Sequence, residues 1–159
     1  MGAILAGLPL LLGGVGCLFS GWLVPRLARV VGSIGLARKI VAIVGFVGAS
    51  ASVIIFTKIS DPASAMIVLG IAGLFNDFVM PPAWAACMDI GGRYSGTVSG
   101  SMNMMGNIAG ALSPLAIGYL LAWTGSLPLT FYVSAVVYSL GAVCWLFLDA
   151  ETPMEQSAG

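Results

Sequence analysis

The sequence predicts an all-α integral membrane protein of five transmembrane helices. Three observations predict it. Of 159 residues, 59% are hydrophobic and 8% are charged, against roughly 25% charged in a soluble domain. The apolar residues fall into five stretches, each close to the ~20 residues that cross a hydrocarbon core. Short connections rich in Gly, Pro and charge separate them.

The first stretch is Ala3 to Val24. No Lys or Arg precedes it and no small-residue cleavage pattern follows, so it reads as a mature span and not as a signal peptide. The second, Ile40 to Thr57, is the shortest. The third and fourth, Ala63 to Met88 and Ser95 to Trp123, exceed the bilayer thickness and predict tilt or continuation past it. The fifth is Pro128 to Leu148. Pro25 to Lys39 is the longest predicted connection, and Asp89 to Tyr94 a Gly-Gly turn. The tail from Asp149 to Gly159 is acidic and small, and is expected to be disordered.

Arg26, Arg29, Arg38, Lys39 and Arg93 fall on one side of this layout and Lys58 alone on the other. Positive charge favours the cytoplasm, which predicts the N-terminus outside and the C-terminus inside. Trp22, Trp123 and Trp145 lie near predicted span ends, where indoles prefer the interface; Trp84 lies within its span.

Composition also excludes functions. There is no His and no run of carboxylates, so no catalytic triad or metal set can be assembled and no cofactor is expected. A membrane-embedded enzyme is therefore disfavoured. Net charge is zero and no basic stripe exists, so nucleic acid is not a partner. Cys17, Cys87 and Cys144 lie far apart in apolar stretches and read as small hydrophobes.

The polar residues inside the spans are the candidate site. Asp77 and Asn76 sit near the middle of the third span, before Pro81, Pro82 and Trp84. Ionisable groups at that depth mark pathways. Asp77 serves either gating and proton or cation coupling, or a buried pairing. The two prolines predict a kink, and Pro114 another in the fourth span. Asn103 and Asn107 are one turn apart, with Ser99 a turn earlier, and form a polar stripe for either ligand contact or helix packing. Gly92, Gly96 and Gly100, Gly106 and Gly110, and the glycines of the first span predict close helix packing.

The runs Asn76-Asp77-Phe78 and Pro81 to Gly100, the continuation Ser101 to Gly110, and Ser113-Pro114, Gly118-Tyr119 and Phe131-Tyr132 resemble the major facilitator superfamily. Within it they are similar to the anion:cation symporters for hexuronate, glucarate, galactonate and phthalate and to the sialin-like carriers. The resemblance implies a twelve-helix fold of two halves, of which the five spans would be helices eight to twelve, in residues 1–148. It implies that Asn103 and Trp84 line the substrate cavity; Asn76, Asp77 and Asn107, from their place in the spans, are second-rank candidates for gating, coupling or packing. Pro81 stands where some members place a substrate-contacting serine. Pro25 replaces the acidic residue of the loop signature that begins at Gly21. The implied function is symport of a small organic anion, such as a sugar acid, across the inner membrane by alternating access. The coupling ion would be a proton, with sodium as the alternative. The partners would be the bilayer and the preceding helices, in the same or a separate chain. The rival reading is a five-helix packing or assembly subunit, or a gene remnant, that transports nothing.

Overall fold

The computed structural model describes residues 2–150 and Thr152, with side chains from Gly7 onward. Most of the expected tail, 149–159, lies outside the described residues; Thr152 donates from its backbone and hydroxyl to Asp149.

Among the described residues all regular structure is helical, with no strand. In chain order they form α1 (Gly2–Val31), α2 (Ile34–Phe56), α3 (Pro62–Phe78), α4 (Met80–Gly91), α5 (Ser95–Thr124) and α6 (Leu127–Phe147). Four helical stretches are long and apolar enough to cross a membrane: Gly7–Val31, Ile34–Phe56, Pro62–Thr124 and Leu127–Phe147. The sequence predicts five. The difference arises at 89–94, expected as a loop. There the chain stays helical to Gly91 and passes through one 3-10 turn, Gly92–Tyr94, straight into α5. Gly92 makes this possible with φ +49°, a left-handed value that side chains resist. The expected 25–39 connection is likewise mostly helix, since α1 runs through Pro25 to Val31 and α2 starts at Ile34. Hydropathy marks where a helix is apolar, and these helices continue past that boundary.

Helix caps follow the sequence locally. Ser33 accepts from the Leu36 amide at 3.0 Å and opens α2. Asp61 accepts from the Ser64 amide at 2.8 Å and opens α3, with Pro62 in the first turn where its missing N–H is harmless. Gly125 closes α5 at φ +63°, its amide bonded to the Leu121 carbonyl.

Helices α1, α2, α3, α4 and α6 form the packed body. Small residues let α1 and α3 approach to backbone contact: a methyl on Gly16 would strike the Leu74 carbonyl, and one on Gly73 the Pro9 carbonyl. One core cluster joins Val24, Ala37, Val41 and Phe78; another joins Ala42, Val79, Ala86 and Trp145. Trp145 is therefore buried in the core, whereas Trp22 and Trp123 are exposed.

Helix α5 differs. It buries no residue. Gly96, Gly100, Gly106 and Gly110 have no neighbour where an added methyl would stand, so the expected close packing there is not made within this chain. Met104, Met105, Ile108, Leu112 and Leu115 are exposed along it.

Candidate functional site

The site begins with a defect in helix geometry. Pro81 and Pro82 have no amide hydrogen, so the carbonyls of Asp77 and Phe78 lose their partners four residues on. The chain answers with a one-residue break at Val79, whose amide bonds the Asn76 carbonyl at 3.3 Å. Helix then resumes, with both prolines in the first turn of α4. Val79 keeps right-handed helical torsions, so the interruption is tight and no long unwound stretch forms.

This break places Asp77 and Trp84 on one wall. They share a cavity of about 420 Å³ with Met80 and Pro81, closed on the α1 side by Leu10, Gly14 and Cys17. Gly13 leaves room for the Asp77 carboxylate, which a methyl there would push aside. Asp77 is the charged residue of the lining, and no Lys or Arg joins it.

Asn76 faces away from this cavity and still bonds into it. Its Nδ2 donates to Asp77 Oδ1 at 2.9 Å. Its Oδ1 accepts from the Tyr138 hydroxyl of α6 at 3.0 Å. An amide has one donor end and one acceptor end, so this chain of bonds directs the N–H toward the carboxylate.

A second polar junction ties one end of the bundle. Arg38, 7% exposed, pairs with Asp89 of α4 at 2.6 Å and donates to the Ala150 carbonyl beyond α6 at 2.8 Å. Lys39 donates to the Leu146 carbonyl at 3.0 Å. The start of α2 and the ends of α4 and α6 thus meet.

The Major Facilitator Superfamily sequence profile matches residues 1–114. The chain belongs to this superfamily. Among curated superfamily relatives, the protein named "Probable sulfoacetate transporter SauU" of Cupriavidus necator is 35% identical over 92% of this chain and 34% of its own length. The "D-galactonate transporter" of Escherichia coli is 32% identical over 88% of the chain and 32% of its own length. The "Probable anion transporter 4, chloroplastic" of Oryza sativa subsp. japonica is 31% identical over 96% of the chain and 26% of its own length. The chain thus spans about a third or less of these relatives. No solved structure matches it.

Within this superfamily member, the predicted site residues separate into two groups. Asp77 and Trp84 share the cavity, and Asn76 bonds to Asp77. Asn103 and Asn107 lie on exposed α5, outside that cavity; Asn107 Nδ2 donates to the Asn103 carbonyl at 2.8 Å, a bond within the helix. Ser99, earlier on the same stripe, has a buried hydroxyl without a partner.

Three features go beyond what the sequence pattern marks. Cys17, a small hydrophobe by pattern, lines the Asp77 cavity. Tyr138 is one aromatic among many in an apolar span. Arg38 looks like a loop charge, although a lone carboxylate at a span end, Asp89, signals a need for a cationic partner.

Proposed function

We propose that this chain is part of the C-terminal half of a secondary transporter that carries a small organic anion together with a proton, or a sodium ion, by alternating access. The observation that carries the reading is the Asp77–Trp84 cavity: an ionisable carboxylate held inside an apolar helix pair, beside an indole wall. The relatives named for sulfoacetate and D-galactonate support an anionic substrate.

The charge of the cavity supports a division of roles. A carboxylate repels an anion and attracts a cation, and no cationic side chain lines this wall. Asp77 then serves the coupling ion, Asn76 orients it, and Trp84 offers the substrate an apolar face. The anion's positive partner comes from helices outside this chain. Asn103 and Asn107 supply amides from α5, whose bare surface supports docking against those helices.

The stretch Pro62–Thr124 contains 63 residues. At ~1.5 Å per residue it is roughly three times as long as a hydrocarbon core is thick. We read it as two crossings that turn at Gly92, which gives five in all, in residues 1–148, equivalent to helices eight to twelve of the fold. The N-terminus lies outside and the C-terminus in the cytoplasm of an inner membrane, and the protein performs no covalent chemistry.

The bare surface of α5 also favours a second reading: a non-transporting membrane subunit that packs on a partner. Intact mass of the membrane-extracted polypeptide, with the DNA upstream of Met1, separates the two. A chain with further helices, taking up sulfoacetate or a sugar acid in proteoliposomes and losing uptake in N103A and D77N, sustains the transporter. A polypeptide ending at this length with no uptake, alone or with a co-purifying partner, sinks it.

A further inference from the structure

A groove of about 440 Å³ runs along the seam between α2 and α6. Its ridges, Val47, Ile54, Val143 and Leu146, are exposed, and its floor, Ser50 and Ala142, is buried. The hydroxyl in the floor is already satisfied, since Ser50 donates to the Ala135 carbonyl at 3.0 Å. No charged side chain lines the groove. It suits hydrocarbon and offers little to a polar ligand. Both helices are long and apolar enough to cross a membrane, and both belong to the packed body.

The length of the groove and the chemistry at its end identify an occupant. At ~1.5 Å per residue, Ile43 to Ile54 spans roughly 16 Å, about half of the ~30 Å hydrocarbon core. That is the reach of one leaflet, whereas a partner helix would pack along the whole core. One turn before Ile43 on α2, and just past Leu146 on α6, lies a polar pocket of about 320 Å³ lined by Lys39 and Asp149. Lys39 shares the helix face of Ile43, and its Nζ donates to the carbonyl of Leu146 at 3.0 Å. An ammonium has three donors, so Lys39 can bind a further acceptor. The Asp149 carboxylate accepts from the Thr152 amide and hydroxyl, and it sets a negative charge on the same wall.

We propose that this seam holds one phospholipid with a phosphoethanolamine head, its chain along α2 and α6, its phosphate on Lys39 and its primary ammonium on Asp149. A head with a phosphate and no ammonium would set like charge against Asp149. A choline head has no N–H to give a carboxylate. The head that carries both charges, with N–H donors, complements both residues through charge-assisted bonds. The site is separate from the Asp77 cavity, which α1, α3 and α4 line. It requires that α2 and α6 cross the bilayer and does not depend on the transport reading.

The test uses the native polypeptide that contains this chain, delipidated in detergent and offered phosphatidylethanolamine, phosphatidylcholine or phosphatidylglycerol. Native mass spectrometry counts the lipid retained. Ala51→Phe, at an exposed position of the groove wall, fills the groove and should remove one bound phosphatidylethanolamine per chain. That lipid should be held about fivefold more tightly than the other two. Lys39→Gln should cancel the gain and Lys39→Arg should keep it. Asp149→Asn should erase the preference over phosphatidylglycerol while a lipid still binds. If Lys39→Gln does not fold, Asp149→Asn and Ala51→Phe decide. Equal retention of all three heads, as for a merely annular lipid, would overturn the proposal. So would a preference for phosphatidylglycerol, retention unchanged by Ala51→Phe, or pairing of two chains through this seam with no lipid bound.

Discussion

Helices α1 and α5 are both long, apolar and rich in glycine, and two glycines of α1 make contacts that none between Gly96 and Gly110 makes. On α1, Gly13 and Gly16 are pressed against Asp77 and the Leu74 carbonyl of α3. On α5, Gly96 to Gly110 meet open space. The same small-residue pattern therefore records a contact in one helix and an unfilled surface in the other. Spacing alone cannot tell the two apart, because it states that a backbone can be approached and not what approaches it.

The largest expected effect tests the body that α1 belongs to. Arg38→Ala would strand the Ala150 carbonyl and unpair Asp89. Breaking a fully buried pair costs ~3–5 kcal/mol, and since Asp89 is half exposed we expect about 2–3 kcal/mol. Reversible unfolding in mixed micelles measures it; a loss below ~0.5 kcal/mol would show that the junction does not hold the body together. The glycine comparison itself comes next. Gly16→Ala should destabilise by ~1–3 kcal/mol, because the added methyl meets backbone that cannot move aside. Gly106→Ala should not destabilise the fold and should favour the helix by roughly 0.5–1 kcal/mol, since nothing lies beside it. If Gly106→Ala leaves the fold intact and impairs uptake, α5 docks where this chain shows open space. Equal destabilisation by the two would erase the distinction.

The same contrast governs what could be read from sequence. The helical class, the apolar stretches and the polar break at Asn76 to Trp84 follow from composition and from two prolines that cannot donate. The joining of the third and fourth stretches was not legible. Gly91-Gly92 permits either a loop or a single tight turn, and torsion angles decide. Asp77 and Trp84 could be grouped because they share one helix face across the break. Tyr138 could not be attached to Asn76, because 62 residues separate them and no pattern marks a single aromatic for bonding. Asn103 and Asn107 were visible as a stripe, but within this chain they stand on an exposed face.

A smaller effect probes the link across α3. Tyr138→Phe removes the hydroxyl that fixes the Asn76 amide and should cost about 1 kcal/mol of stability. If the proposed transport reading holds, uptake by the full-length protein should respond more than stability does, with a changed dependence on the coupling ion and a lesser change in substrate affinity. A purely structural bond would lower the melting temperature and leave the ion dependence untouched. No comparable bond ties Asn103 to the body, so Asn103→Ala should be silent in stability and visible only in uptake.

The smallest effect compares how the two halves of the Pro62–Thr124 stretch begin. Helix α3 starts from Asp61, whose carboxylate accepts from the hydroxyl and amide of Ser64 at 2.7 and 2.8 Å. Helix α5 starts at Tyr94 with no side-chain cap. The Ser64 hydroxyl, and after it the Ser64 amide, hold the Asp61 carboxyl below its ordinary value of 3.8. A carboxyl whose folded value lies below its unfolded one stabilises the fold above that ordinary value, and the contribution is lost as pH falls through the folded value. Melting should therefore weaken from neutral pH toward pH ~3 by a small increment that Asp61→Asn abolishes, because an asparagine caps almost as well and does not titrate there. Hydrogen exchange should locate the acid-induced opening in the first turn of α3, with the start of α5 exchanging equally fast at both pH values once intrinsic rates are corrected. An acid-sensitive opening at α5 instead would mean that its start is held by a carboxylate from outside this chain.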